Sequence, residues 1–177
     1  PGNSIQEACI RLGWCEERLL AEVPEPEARP GETMAEHLAP LFPLPELLPR
    51  LVARLERMEV APGQTVYRQG DTSRDLFFVE SGAVTVQLEL EGGGGVRRLR
   101  TMGAGTVVGE MGVYLGAERS ASVVAEGPAV LYRLTADARA RIESEDVELA
   151  HALHRYFVRL LSGRLAHANE VVAHLQG

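Results

Sequence analysis

The chain has 177 residues, 45% of them hydrophobic and 24% charged, with a formal net charge of −7, the profile of one full globular domain plus an appendage. No uncharged apolar run approaches the roughly 20 residues of a membrane span, so direct membrane insertion is not expected. All 18 basic residues are arginine, which removes the phosphate-binding lysines and every Schiff-base mechanism, and scattered arginine on an acidic chain argues against nucleic-acid binding.

The chain opens at Pro1 with no signal-peptide pattern, as expected of a piece excised from something longer. Residues 5–23 carry helical spacing through Ala8, Leu12, Cys15, Leu19 and Leu20. The run VPEPEARPG that follows sets Pro24, Pro26 and Pro30 where a helix cannot continue, which predicts a linker after the tail of a preceding domain in residues 1–30. Residues 31–177 then form the main domain. Two helices are expected at 32–41 and 45–58, the second with Leu47, Leu48, Leu51, Leu55 and Met58 on one stripe. Short β-rich runs follow at 66–68, 76–80, 83–90, 96–101, 106–108, 120–125 and 130–134, punctuated by turn signals at Gly63, Gly70-Asp71, Ser81-Gly82, Gly92 to Gly95 and Gly127-Pro128. These predict an antiparallel β-roll over about 58–134. Thr135 is an expected N-cap for a helix at 136–145, and a second helix is expected at 146–174. The fold class is therefore α+β, a roll flanked by N-terminal helices and two C-terminal helices. Leu161, Leu165, Ala168, Val172 and Leu175 step by four, three, four and three, a short heptad seam that either pairs with a second copy or packs on the chain's own roll.

Cys9 and Cys15 lie six apart in a helical pattern and do not face one another, which fits idle thiols in a reducing, cytoplasmic compartment. The five histidines, His37, His151, His154, His167 and His174, all lie outside the strand-rich stretch. That tells against a metal enzyme on the inner face of the roll. Glu148, His151 and His154 recur every three residues on an expected helix, a spacing able to present zinc ligands, but a solvated helix face is the weightier reading, and no metal is expected.

The segment GTVVGEMGVYLGAERSASVV, residues 105–124, holds the chemistry. Glu110 and Arg119 stand nine positions apart in a Gly-rich turn. Gly105, Gly109 and Gly112 permit left-handed backbone and close approach, so that peptide N–H groups around Glu110 to Val113 can face an oxyanion. Arg119 is a forked, charge-assisted donor for phosphate oxygens, with Ser120 and Ala121 supplying further donors. A carboxylate accepts only, so Glu110 suits a sugar hydroxyl beside that phosphate. One arginine against one negative charge points to a phosphodiester.

These elements, with GQTVYRQGD at 63–71, DLFFVESGAVTV at 75–86 and PAVLYRLT at 128–135 in the same order, resemble the cyclic nucleotide-binding domain family over about residues 44–176. The resemblance implies a β-roll of the catabolite-activator kind whose ligand is cAMP or cGMP. It implies that Glu110 takes the ribose 2′-hydroxyl, that Arg119 takes the cyclic phosphate, and that Val108, Gly109, Met111, Gly112, Ser120 and Ala121 line the phosphate cassette. The base cap is expected from residues 160–164, with Arg164 stacking on the purine. A regulatory sensor, not an enzyme, with no cofactor beyond the nucleotide, is the implied function. A degenerate module used for protein contact is the alternative, against which intact Glu110 and Arg119 weigh. No DNA-reading helix-turn-helix pattern occurs within these 177 residues, so DNA binding is not expected of them. The stretch WCEERLLAEV, residues 14–23, is similar to the closing helix of the STAS domain in SulP-type anion transporters, which implies a membrane transporter as parent and partner.

Overall fold

The computed structural model describes residues 31–90 and 95–176, without the side chains at 167, 168, 171, 172 and 174–176. The expected helix at 5–23, the linker at 24–30, both cysteines and most of the hairpin tip lie outside the described residues. In chain order the elements are α1 (Met34–Leu38), a 3₁₀ turn (Pro45–Leu47), α2 (Leu48–Val52), β1 (Glu56–Val60), β2 (Thr65–Tyr67), β3 (Leu76–Ser81), β4 (Ala83–Glu89), β5 (Val96–Gly103), β6 (Val107–Val108), α3 (Glu110–Leu115), β7 (Ser122–Ala125), β8 (Ala129–Leu134), α4 (Ala136–Glu145) and α5 (Val147–Gln176). The α+β roll is as expected, with two four-stranded antiparallel sheets in the orders β1-β8-β3-β6 and β2-β7-β4-β5.

The first sheet is the middle of three layers. Alternation along β3 sends Leu76 and Phe78 toward the helices, and Phe77 and Val79 toward the second sheet. Both faces are buried, which explains why LFFV reads as a continuous apolar run. β4 differs: Val84 and Val86 face the core between the sheets, and Thr85 between them points to the other face, where it bonds Glu126 and Arg98, so that strand alternates. Against the helix side of the middle sheet, α5 lays Leu149, Ala152, Leu153, Tyr156 and Phe157, an i, i+3, i+4, i+7, i+8 stripe. Each large side chain buried there contributes about 1.5–3 kcal/mol.

The second N-terminal helix is shorter than the sequence suggests. It stops at Val52, and residues 56–60 pair with β8 as β1, in register Met58 to Leu131 and Val60 to Ala129. Leu47, Leu48 and Leu51 do share the helix-side core. Met58 belongs to the core between the sheets instead, because pairing with β8 buries Met58 and Val60 at strand period and overrides the helical stripe. α1 is likewise trimmed to Met34–Leu38, started by a capping box in which Glu36 N–H donates to Thr33 Oγ1 and Thr33 N–H to Glu36 Oε2 at 2.7 Å. Thr135 caps α4 as expected, accepting from Ala138 N–H at 3.1 Å.

Candidate functional site

β6 delivers the chain to Gly109, whose φ of 93° and ψ of 2° make the turn into α3. A Cβ there would stand 2.6 Å from Arg119 Nη1 and 3.0 Å from the Asp75 carbonyl oxygen, so both the backbone angle and the close approach require glycine. Gly105 is also left-handed, at φ 82°. Gly112 is not among the left-handed glycines; it sits inside α3, where a Cβ would make only ordinary contact, 3.5 Å from Arg119 Nη1 and from the Ala117 carbonyl.

Glu110 opens α3 and is 7% exposed, while Arg119 is 3% exposed. Arg119 is held by backbone and side chain together. Its N–H donates to the Asp71 carbonyl at 2.9 Å and its own carbonyl accepts from Gly70 N–H at 2.9 Å. Its Nη1 donates to the Gly109 carbonyl at 2.9 Å, and its Nη2 to the Asp75 carbonyl at 2.6 Å and to Ser73 Oγ at 3.0 Å. The guanidinium lies 4.2 Å over the Tyr67 ring, which in turn packs on Phe77 at 5.8 Å. Burial pushes the Arg119 pKa below its usual value and pushes the Tyr67 phenol well above its own. Arg119 Nε is buried without a hydrogen-bond partner among the described residues. A buried orphan donor on a guanidinium costs about 1–3 kcal/mol, and an anion arriving on that edge would relieve it, so the cradle fits a phosphate.

On the other side, Arg164 of α5 donates from Nη1 to Glu110 Oε1 at 2.6 Å and from Nη2 to the Val107 carbonyl at 3.1 Å. The C-terminal helix therefore reaches into the site, and Arg164 stands on the Glu110 carboxylate; stacking on a base would require the guanidinium to leave it. A second tie runs from Tyr114 of α3, whose hydroxyl is 3.1 Å from His154 Nδ1 and whose ring packs on Phe157 of α5 at 5.4 Å. Burial raises the Tyr114 phenol to about 12.

Of the other residues expected to line the cassette, Val108 and Ala121 are buried, whereas Met111 and Ser120 are exposed. Among the described residues no group of three His, Cys, Asp or Glu side chains is placed to hold a metal, and no helix is long and apolar enough to cross a membrane. Sequence reasoning assigned no role to Tyr67, Ser73 or Asp75. Tyr67 and Asp75 lie in the strings VYRQGD and DLFF and Ser73 falls between them, but their convergence on Arg119 spans 44 to 52 positions of chain.

Comparison with known proteins agrees with this geometry. Residues 57–146 match the cyclic nucleotide-binding domain family. The chain is 31% identical over 137 residues to the cAMP-dependent protein kinase regulatory subunit of Blastocladiella emersonii, covering 72% of this chain and 34% of that protein. It is 36% identical over 110 residues to Glutaminase 2 of Bradyrhizobium diazoefficiens, covering 62% of this chain and 17% of that protein. The chain thus spans no more than about a third of these relatives. Among solved structures, the catabolite activator protein of Thermus thermophilus superposes with a TM-score of 0.62 at 31% identity, covering 77% of this chain and 63% of that one. A cyclic nucleotide-binding domain from Methylobacillus flagellatus shares the fold, with a TM-score of 0.67 at 22% identity over 77% of this chain and 80% of the other. With half of its length matched by the family and the same roll in a solved relative, the chain belongs to the cyclic nucleotide-binding domain family.

Proposed function

We propose that this chain is a sensor for a cyclic nucleoside monophosphate, cAMP or cGMP, within a larger cytoplasmic or membrane-tethered protein. The observation that carries the reading is Arg119, 3% exposed with its Nε unpartnered, its guanidinium bonded to the carbonyl of Gly109, the residue before the buried Glu110. Arg119 is the phosphate partner and Glu110 the ribose partner. Because Arg164 and His154 tie α5 to both ends of α3, a ligand that draws the cassette inward changes the contacts of α5, and that difference in contact converts binding into a signal. The parent regulated this way is an anion transporter of SulP type if the likeness of residues 14–23 is followed. Val158 and Leu165, each 63% exposed on α5, continue the heptad seam toward a second copy. The second reading, a module that works by protein contact without ligand, is favoured by the protein partners that Glu110 and Arg119 already hold.

Calorimetric titration of cAMP and cGMP into the chain and into Arg119→Ala separates the two. The sensor reading expects micromolar or tighter binding that falls about a hundredfold or more in the variant, since a charged hydrogen-bond partner is lost from a buried site. No heat and no melting shift with either nucleotide would establish the contact module. Sedimentation of the chain beside Val158→Glu tests pairing through α5: a dimer that dissociates in the variant supports it, and a monomer in both excludes it.

A further inference from the structure

We infer, on the reading of Arg119 as the phosphate partner, that Tyr67 is the residue that positions it: the face of the Tyr67 ring holds the guanidinium in the orientation in which it meets a phosphate.

β2 departs from regular strand geometry to bring that ring in. Thr65 stands opposite Val124 and Tyr67 opposite Val123, so β2 takes two steps where β7 takes one. The extra residue is Val66, and a bulge of this kind re-aims the side chain that follows it. In a regular strand Val66 and Tyr67 would point to opposite faces. Here both pack against the core between the sheets, and the Arg119 guanidinium lies over the Tyr67 ring, 4.2 Å from its centroid. Phe77 of β3 backs the ring at 5.8 Å.

The ring holds Arg119 in a way that its other partners cannot. The carbonyls of Gly109 and Asp75 and the Ser73 hydroxyl accept from Nη1 and Nη2, so they compete with a phosphate for the same N–H groups. An aromatic face attracts a cation from above or below the guanidinium plane and occupies no N–H. Tyr67 can therefore hold Arg119 before a ligand arrives and keep hold of it afterwards. The attraction is that of a neutral ring and not of a phenolate, because burial pushes the phenol well above its ordinary pKa. With the guanidinium fixed, a ligand is spared the cost of ordering a long, flexible side chain.

Calorimetric titration of cAMP and cGMP into the whole chain, with residue 67 varied, tests this. Tyr67→Leu keeps apolar bulk and removes the ring; it should weaken binding about tenfold, and Tyr67→Phe should restore it. Trifluorophenylalanine in place of Tyr67 keeps the shape of the ring and drains its face of electron density. It should weaken binding as leucine does, which a packing role would not, and it decides the matter if Tyr67→Leu fails to fold. The loss should also run through Arg119, so that in the Arg119→Ala background Tyr67→Leu changes affinity by less than about threefold. Wild-type affinity in the fluorinated chain, a Tyr67→Phe variant as weak as Tyr67→Leu, or an equal loss in both backgrounds overturns the role of the ring and leaves the sensor reading standing. A wild type that binds neither nucleotide removes both.

Discussion

Glu110 is a nearly buried carboxylate whose Oε1 is taken by Arg164. A carboxylate has about four acceptor positions, so a ribose hydroxyl can use Oε2 while Arg164 stays in place and holds the acid in orientation. Removing either partner leaves the other charge poorly compensated, which makes their effects on stability overlap. The expected outcome is that Glu110→Ala and Arg164→Ala each lower the melting temperature, and that the double variant loses less stability than the sum of the two. The ligand gives a sharper test. Wild-type protein should bind 2′-deoxy-cAMP about tenfold or more weakly than cAMP, as for one hydrogen bond to a charged group, and Glu110→Ala should bind the two alike. Equal binding of both by the wild type would remove Glu110 from the ribose.

At the scale of elements, the turn between β3 and β4 is tightly constrained. Gly82 has φ 77°, and a Cβ on it would lie 2.5 Å from the Pro128 carbonyl oxygen and 2.7 Å from Ala129 Cβ. Gly63 has the nearly equal φ of 76° with nothing within 4 Å. Left-handed strain alone costs about 1–3 kcal/mol, so Gly63→Ala should lose roughly that amount. Gly82→Ala adds a clash with backbone that cannot rotate away and should lose clearly more in urea denaturation; equal losses would mean that the Pro128 segment yields. This contrast also shows what a sequence makes legible. Both glycines read as turns, because the residue type follows the local backbone. Which one is crowded depends on a segment 46 positions away. The same division runs through the rest of the chain. The helix at 136–145 is recognisable from a cap and a period, and Glu110 and Arg119 from acid, arginine and flanking glycines. β1 is hidden because Leu47 to Met58 fits a helical stripe until β8 pairs with its second half. Asp75 and Tyr67 look like one more surface acid and one more strand aromatic until distant chain packs around them.

For the molecule as a whole, the helical layer is joined to itself by polar clamps as well as by the apolar core, and one of them is Arg50 of α2 on Asp146 at the junction between α4 and α5. Arg50 Nε donates to Asp146 Oδ2 at 3.2 Å, Nη2 binds Oδ1, and Nη1 reaches Glu148 at 3.0 Å. Asp146 also opens α5, accepting from Leu149 N–H at 3.2 Å on its side chain and from Ala150 N–H at 2.9 Å on its carbonyl. The hydrogen bond from Arg50, and after it that from Leu149, holds the Asp146 pKa below its ordinary 3.8. A carboxyl depressed in the folded state stabilises the fold fully above the unfolded value and loses that contribution as pH falls through the folded one. The clamp should thus be intact at pH 5–7 and should fail only below about pH 3.8, as Asp146 takes up a proton. Asp146→Asn keeps the cap oxygen and removes the charge. Its melting temperature should lie below that of the wild type at pH 7, and the two should converge as the pH is lowered toward 2. A gap that persists undiminished at low pH would mean that shape, not charge, holds α2 to the junction.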